Sequence, residues 1–221
     1  MKILITGANG YIGSVLGPFL IERGHEVAGI DAGFYNAPIL LTECPLRPAV
    51  KLADIRRLTI EDFAGFDAVV HLAGLSNDPL GQLNPALTNS INFQGSLHVA
   101  RLARDAGVHR YVDFSSCSVY GAGGDAPRQE TSPTGPLTEY AICKVKTEEA
   151  VRQLACESFS PVFMRNSTVF GISPRMRFDL VLNNLAGLAF TRREIALLSD
   201  GTPWRPLIHI QDLCRATALF L

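Results

Sequence analysis

The chain has 221 residues, 47% of them hydrophobic and 19% charged, which is enough apolar material for one ample core with a small appendage. Its 20 basic and 21 acidic residues give a net charge of −1, so there is no broad basic surface for nucleic acid. The chain has five cysteines and no Cys-x2-Cys pair, which predicts a cytoplasmic protein without disulfides or a metal site. No apolar stretch approaches the roughly eighteen residues of a membrane span, so no membrane partner is expected. The N-terminus leads directly into a strand, so no signal peptide is expected.

Apolar runs alternate with helical periods along most of the chain. Strands are predicted near 2–6, 26–30, 49–53, 67–73, 109–115 and 161–165. The clearest helix lies near 84–106 and ends at Gly107, and a second lies near 138–158. Residues 33–48 contain three prolines and no helical period, which indicates a loop. This alternation predicts an α/β fold, a Rossmann-type doubly wound parallel sheet covered by helices on both faces.

The first turn of this predicted sheet carries three glycines, Gly7, Gly10 and Gly13, directly after an apolar strand. Glycines at such a turn let the backbone approach a pyrophosphate, which the N-terminus of the following helix stabilises, although a glycine trio alone could be only a tight turn. Asp31 ends the next apolar run, where a carboxylate hydrogen-bonds both ribose hydroxyls and repels a 2′-phosphate. Together these residues predict NAD, rather than NADP, as the cofactor.

Two further patterns contain groups suited to acid–base chemistry. Tyr140 and Lys144 are four residues apart, about one helical turn, and a nearby ammonium stabilises a phenolate. The same spacing also occurs on solvated helix faces. Upstream, an apolar strand ends in the hydroxyls of Ser115, Ser116 and Ser118. Hydroxyls at strand C-termini contact ligands in doubly wound sheets, but they also cap chains that leave a sheet.

These motifs together resemble the extended short-chain dehydrogenase/reductase family, in particular its NAD-dependent nucleotide-sugar epimerase/dehydratase branch. The resemblance runs along nearly the whole chain. The matching features, in chain order, are Gly7-x2-Gly10-x2-Gly13, Asp31, Asp54-Ile55, His71-Leu72-Ala73-Gly74, Asn92, the Ser-Ser-x-Ser-Val-Tyr-Gly strand end, Tyr140-x3-Lys144, Arg165, and Arg205-Pro-Leu-Ile-His209-Ile-x-Asp212.

The resemblance implies a role for each of these positions. It implies the catalytic residues Ser116, Tyr140 and Lys144, with Lys144 also on the nicotinamide ribose. The implied cofactor site consists of Gly7, Gly10, Tyr11, Ile12, Gly13, Asp31, Asp54, Ile55, Leu72, Ala73, Gly74, Asn92, Tyr140 and Lys144. Asn92, as a lone residue, could instead face solvent. The implied substrate contacts are Ser116, Tyr140, Asn184, Leu185 and Arg205. A guanidinium such as that of Arg205 suits a diphosphate, because it holds phosphate oxygens in a bidentate fork.

The implied reaction is the 4-epimerisation of a nucleotide sugar through a transient 4-keto intermediate. Tyr140, assisted by Lys144 and Ser116, would take the proton of the sugar 4-hydroxyl while C4 loses hydride to NAD. Dehydratases of the family carry an Asp-Glu pair where this chain has Cys117-Ser118, which disfavours dehydration. Two alternatives stay open: a sugar dehydrogenase or ketoreductase, and an NAD-binding module without turnover.

The resemblance also divides the chain into an NAD-binding Rossmann domain, residues 1–165, and a partial substrate-binding lobe, residues 166–221. In this lobe we expect a loop with Gly171, a helix near 178–190, a strand near 195–198, a turn at Asp200-Gly201 and a last helix from Asp212, a candidate N-cap. Family members usually continue for on the order of a hundred residues more. We therefore expect a chain shortened at its C-terminus, with its activity open.

A homodimer is also expected. Many members of the resembling family associate through the two helices that here lie near 84–106 and 138–158. The second helix offers the apolar residues Val145, Val151, Leu154 and Ala155 besides its catalytic face. The alternative is that all four pack on the sheet of their own chain. A competing route is aggregation through the apolar C-terminal helix.

Overall fold

The structure is a computed structural model that describes residues 1–34, 46–76, 78–122, 126–197, 200–202 and 204–221, with the backbone alone at 78–80. Six strands form one parallel sheet. Its order is β3-β2-β1-β4-β5-β6, so the direction of winding reverses between β1 and β4. The strands are β1 (Lys2–Thr6), β2 (Glu26–Asp31), β3 (Ala49–Leu52), β4 (Ala68–His71), β5 (Arg110–Asp113) and β6 (Ser160–Phe163). All six match predicted strands, and the doubly wound fold class is confirmed.

Helices cover both faces of this sheet. The α-helices are α1 (Gly13–Ile21), α2 (Asp78–Leu83), α3 (Pro85–Asn89), α4 (Ser96–Asp105), α5 (Glu139–Arg152), α6 (Val181–Arg192) and α7 (Ile210–Leu219). Short 3-10 helices span Ile55–Arg57, Ile60–Phe63 and Cys117–Tyr120, and a π-helical segment, Ser90–Gly95, joins α3 to α4. As predicted, Gly107, at φ 81°, follows the end of α4.

The helix predicted near 84–106 is thus present from Pro85 to Asp105, but its middle turn is π-helical, and contacts with distant parts of the chain explain why. The carbonyl of Asn92 accepts hydrogen bonds from Ser96 Oγ at 2.9 Å and from Thr147 Oγ1, on α5, at 3.2 Å. Gly95 lies so close to Ile55 that a Cβ atom would approach Ile55 Cδ1 to 2.9 Å. Single π-helical turns inside α-helices occur frequently at functional sites.

Two hydrophobic clusters fill the space between the sheet and the helices. Side chains of α1 and α7 belong to the first, and side chains of α4 and α5 belong to the second. Ile3 and Ile5 join the first cluster and Leu4 the second, because successive strand side chains point to opposite faces. Val151, proposed from the sequence as a dimer contact, is fully buried in the second cluster of its own chain, so that expectation is wrong.

Residues 166–221 differ from the sequence expectations in two places. A second, two-stranded parallel sheet forms between β7 (Thr168–Phe170) and β8 (Leu207–His209), whereas residues 194–197 have no regular structure and residue 198 lies outside the described residues. Helix α7 is capped by His209, which accepts from the backbone N–H of Gln211, while Asp212 pairs with Arg215 at 2.6 Å in the first turn.

The predicted division at residue 165 stays a prediction, because the hydrophobic core continues across it. Leu213 and Cys214 of α7 share the first cluster with Leu16 and Leu20 of α1. Most of the predicted loop 33–48, namely residues 35–45 with Cys44, lies outside the described residues.

Neither a membrane-spanning helix nor a metal-binding cluster occurs in the described ranges. None of their helices is long and apolar enough to cross a membrane. Within the same ranges, no group of three His, Cys, Asp or Glu side chains could hold a metal ion.

A layer of buried polar side chains lies at the carboxyl ends of the central strands. His71 is fully buried between Thr6 Oγ1, 2.7 Å from Nδ1, and Ser96 Oγ, 2.8 Å from Nε2. Burial, with a smaller contribution from the Lys144 charge, lowers the pKa of His71 to about 3, so the ring is neutral. Asp113 pairs with His71 in the sheet register and is also fully buried, and neither of its carboxylate oxygens has a hydrogen-bond partner among the described residues.

Burial raises the pKa of Asp113 to about 6, opposed by Lys144 and reinforced by Glu148. Because the folded-state pKa lies above the unfolded value, stability is lost as the pH rises through 6. We expect Asp113→Asn, which cannot ionise, to stabilise the protein by roughly 1–3 kcal/mol at about pH 7.5 and by much less near pH 4. Urea unfolding at both pH values measures the difference.

The exposed residue Asp105 offers a matched control. Asp105→Asn should change the free energy of unfolding by less than about 0.5 kcal/mol at either pH. An Asp113→Asn variant that is destabilised equally at both pH values would contradict the assignment of a buried, unpaired carboxyl group.

Candidate active site

One cavity of about 1960 Å³ opens at the carboxyl ends of the strands of the main sheet. Doubly wound sheets bind ligands at this edge, where the direction of winding reverses. Most of the site residues predicted from the sequence line the cavity. The exceptions are Asn92, Asn184 and Leu185.

The glycine-rich turn after β1 forms one wall of the cavity, and its backbone leaves no room for side chains. Gly7 adopts a φ of 75°, and a Cβ atom there would lie 2.8 Å from the backbone nitrogen of Ala73. A Cβ atom on Gly13 would lie 2.4 Å from the carbonyl oxygen of Gly7. Helix α1 begins at Gly13 without a side-chain cap, the arrangement in which a helix N-terminus holds a phosphate. This cradle fits the diphosphate of a dinucleotide.

Asp31, at the end of β2, is held in place by its own backbone surroundings. One carboxylate oxygen accepts from the N–H of Asn9 at 3.0 Å and the other from the N–H of Gly33 at 2.8 Å. The carboxylate is therefore fixed beside the glycine-rich turn while it lines the cavity. Asp54 also lines the cavity but is held differently: it caps the following 3-10 helix and pairs with Arg56 at 2.5 Å. This hydrogen bond lowers the pKa of Asp54.

Asn92 lies behind the cavity wall rather than in it. The side chain is buried, which contradicts the alternative that it faces solvent. Its Oδ1 accepts from the N–H of Leu75 at 2.7 Å and its Nδ2 donates to the carbonyl of the same residue at 2.8 Å. An amide is suited to this double contact because it carries both an acceptor and a donor. The structure thus differs from the expected direct cofactor contact, and Asn92 fixes the segment that follows β4.

The predicted substrate contacts divide in a similar way. Arg205 lines the cavity beside the exposed Trp204. Asn184 and Leu185, on α6, do not line it, and the side-chain amide of Asn184 donates to the carbonyl of Phe178 at 3.0 Å.

Ser116, Tyr140 and Lys144 line the cavity together. Ser116 follows β5 and caps the 3-10 helix Cys117–Tyr120. Tyr140 lies in the first turn of α5, and the Lys144 ammonium, one turn later, lies 5.8 Å from the centroid of the Tyr140 ring. Only 7% of Lys144 is exposed, and its Nζ donates to the carbonyl of Phe114 at 2.5 Å. The ammonium is thus fixed between the end of β5 and the phenol, where it can stabilise a phenolate.

A partly buried ion pair holds α5 against the neighbouring strand ends. Arg165, just after β6, pairs with Glu148 of α5 at 2.6 Å and donates to the Tyr120 hydroxyl at 3.0 Å. The Glu148 carboxylate holds the pKa of Arg165 well above its ordinary value. Ser115 donates to Glu148 at 2.5 Å. Ser115 is therefore structural, as expected for some of the strand-end hydroxyls.

The structure also reveals contacts that the sequence reading missed. The Tyr11 hydroxyl donates to the carbonyl of Gly171 at 2.7 Å, and Ser173 Oγ donates to the carbonyl of Tyr11 at 2.7 Å. Arg175 lines the cavity and donates through Nε to the carbonyl of Asn9 at 3.3 Å. The segment after β7 thus holds the glycine-rich turn in place through hydrogen bonds. More than 150 residues separate the partners (160 for Tyr11 and Gly171), so no spacing pattern indicates them.

Comparison with known proteins agrees with this geometry. A model of the NAD dependent epimerase/dehydratase family matches residues 3–221. The UDP-glucose 4-epimerase of Erwinia amylovora is 29% identical over 251 residues, covering 96% of this chain and 71% of that enzyme.

Two solved structures are also similar. MoeE5 in complex with UDP-glucose and NAD has a TM-score of 0.84 at 28% identity, covering 100% of this chain and 71% of that one. DesIV, a dTDP-glucose 4,6-dehydratase from Streptomyces venezuelae with NAD and TYD bound, has a TM-score of 0.86 at 26% identity, covering 99% and 71%.

The similar structures confirm the Rossmann-type fold, and the family match confirms both the resemblance to extended short-chain dehydrogenases/reductases and NAD as the cofactor. The site contains a glycine-rich turn without space for side chains, an anchored Asp31, and a tyrosine beside a fixed lysine. The sequence matches one family model almost from end to end. The chain belongs to the NAD dependent epimerase/dehydratase family.

Proposed function

We propose that the protein is an NAD-dependent nucleotide-sugar 4-epimerase that acts through a transient 4-keto sugar. The observation that carries this proposal is the meeting of Ser116, Tyr140 and Lys144 in the cavity that also contains the glycine-rich turn and Asp31. The UDP-glucose 4-epimerases among the relatives support the choice of reaction.

The cofactor would occupy the side of the cavity next to β1 and β2. The backbone of the glycine-rich turn, with Tyr11 and Ile12, would hold the diphosphate, and Asp31 would accept hydrogen bonds from a ribose. Asp54 and Ile55 would lie at the adenine, and Leu72, Ala73 and Gly74 would form the wall beside β4. When bound, NAD supplies the acceptor for the C4 hydride and its return.

The residues of the chain would handle the proton. Tyr140, as phenolate, would take the proton of the sugar 4-hydroxyl, and the Lys144 ammonium would stabilise the phenolate. Ser116 would donate a hydrogen bond to the C4 oxygen. After the ketone has turned over in the cavity, Tyr140 would return the same proton to the C4 oxygen. The reaction is redox-neutral overall, because the proton and the hydride both return to the substrate.

The groups around Ser116 support epimerisation over dehydration. Loss of water requires an acid and a base near C5 and C6, and the family's dehydratases place a carboxylic acid pair after the catalytic hydroxyl. Here Cys117 is half-buried, burial raises the pKa of its thiol, and the Ser118 hydroxyl is engaged with Ser116. Neither side chain is a carboxylic acid.

The substrate in this proposal is a nucleotide diphosphate sugar, with Arg205, which lines the cavity, on the diphosphate. Residues 1–165 would bind NAD and residues 166–221 would contribute to the substrate side. A cytoplasmic location is part of the proposal. It rests on the cysteines, since the four in the described part of the chain are free thiols.

The choice of NAD over NADP depends on Asp31. Two backbone N–H groups anchor its carboxylate, so the carboxylate could not move away from the 2′-phosphate of a bound NADP. The two negative charges would then repel each other. We expect NAD to bind at least tenfold more tightly than NADP, a difference of about 1.4 kcal/mol, as measured by calorimetry with both dinucleotides. Asp31→Asn should lower the ratio of the dissociation constants of NADP and NAD, because the substitution removes the negative charge that repels the 2′-phosphate. Equal affinities in the unmodified protein would contradict the role of Asp31.

The acid–base role of Tyr140 gives a second test. Tyr140→Phe removes only the ionisable oxygen, so NAD affinity should survive while turnover falls by at least about 10²-fold. Ser116→Ala should lower turnover less. The assay follows interconversion of UDP-glucose and UDP-galactose by chromatography, together with absorbance of free NADH.

The three possible functions differ in this assay. Epimerisation converts the sugar with flat NADH absorbance, and net dehydrogenation raises the absorbance. A protein that only binds NAD does neither. Near-normal turnover by Tyr140→Phe would show that the Tyr140–Lys144 pair has no catalytic role.

A homodimer completes the proposal. Val151 is not available for it, but apolar side chains remain exposed beside α5, namely Leu83 at the end of α2, 82% exposed, and Leu87 of α3, 42% exposed. Helices α2 and α3 both pack against α5, so one partner surface could cover all three.

Light scattering across a concentration series tests the dimer. We expect a dimer in the unmodified chain and a monomer after Leu83→Glu with Leu87→Glu, because the added charges would be buried in the interface. Leu52→Glu, at a leucine on β3 that is 63% exposed, should leave the dimer intact. A monomer at all concentrations, or association that the paired substitutions do not change, would rule this interface out.

A further inference from the structure

The Ser116 oxygen already accepts two hydrogen bonds, both from one residue. The backbone N–H of Ser118 donates to Ser116 Oγ at 3.2 Å, and the Ser118 hydroxyl donates to the same oxygen at 2.9 Å. A hydroxyl group carries two acceptor lone pairs and one proton. Ser118 therefore fills both lone pairs of Ser116. The Ser116 proton has no acceptor among the described residues, and the side chain lines the cavity.

The local backbone fixes this arrangement. Ser116 is in extended conformation, with φ −150° and ψ 144°, and forms a parallel bridge with Asn166. The N–H of Cys117 donates to the carbonyl of Asn166 at 2.9 Å. Past the 3-10 helix, Gly121 has a φ of 65°, and a Cβ atom there would lie 1.9 Å from the carbonyl oxygen of Gly135. Backbone contacts therefore fix both ends of the turn that contains Ser118.

The neighbouring side chains cannot take the place of Ser118. The Ser115 hydroxyl donates to the buried carboxylate of Glu148. The Cys117 thiol is at most a weak donor. Of the side chains in this strand end, Ser118 alone supplies a strong donor to Ser116 in the described part of the chain.

We propose that Ser118 is a positioning residue that turns Ser116 into a hydrogen-bond donor only, aimed at the C4 oxygen of the substrate. This inference rests on the proposed function. With both lone pairs occupied, Ser116 cannot accept the proton of the 4-hydroxyl, so Tyr140 is the sole proton acceptor. A hydroxyl that accepts two hydrogen bonds is also a stronger donor, because the bonds polarise one another. Ser116 would thus stabilise the negative charge that develops on the C4 oxygen.

A double-mutant cycle tests the coupling. Ser118→Ala removes one of the two donors, and we expect kcat to fall about 3- to 10-fold while NAD affinity, measured by calorimetry, is unchanged. Ser118→Thr keeps the hydroxyl and should restore most of the activity. In a Ser116→Ala background, Ser118→Ala should cause no further loss. Equal losses in both backgrounds would show that Ser118 acts on the fold and not through Ser116, and would overturn the proposal.

Neutron diffraction from crystals exchanged into D₂O tests the hydrogen positions without any turnover. We expect the Ser118 deuterium between the two oxygens and the Ser116 deuterium directed into the cavity. A Ser116 deuterium directed at Ser118 would overturn the assignment, even if the protein is an active epimerase. If no nucleotide sugar is converted but the deuterium atoms lie as expected, the proposed function fails while the donor assignment stands.

Discussion

The hydrogen bond from the ammonium of Lys144 to the carbonyl of Phe114 joins α5 to the end of β5. A buried ammonium is strongly destabilising unless it is paired, so this contact fixes the position of the helix as well as that of the side chain. Tyr140 lies one turn earlier on the same helix and is positioned by it. The Glu148–Arg165 pair, one turn later, fixes the other end of the same helical face. The catalytic geometry thus depends on how α5 is held against the strand ends.

The polar interior near the cavity differs from the rest of the core and destabilises the fold locally. Toward their amino ends the central strands bury Val69 and the ring of Tyr111, whereas His71 and Asp113 follow on the same face. His71 has a partner for each ring nitrogen, but the carboxylate of Asp113 has none among the described residues. Such local costs occur where a site requires charges that a stable core would avoid. Here the buried charge nearby is that of Lys144.

The sequence predicted those parts of the fold that short-range patterns determine. Each of the six strands of the main sheet coincides with a strand predicted from an apolar stretch, and Gly107, with its positive φ, follows the end of α4 as a glycine often does. Tertiary contacts determine the rest. The widened turn at Ser90–Gly95 depends on Thr147, which lies 55 residues after Asn92 in the chain. The three-residue strands β7 and β8 are too short for a periodic signal, and only their pairing defines them.

The same distinction holds within the candidate site. The glycines of the turn after β1 could be assigned to the cofactor site from their spacing, because the backbone geometry that excludes side chains is local. The position of Asn92 behind the cavity wall depends instead on its hydrogen bonds with Leu75. The three strand-end serines make the case most clearly. Ser115 donates to a buried carboxylate, Ser116 faces the cavity, and Ser118 donates to Ser116. All three are serines within four residues of one another. Their roles differ because each hydroxyl meets a different partner, and those partners are known only once the chain has folded.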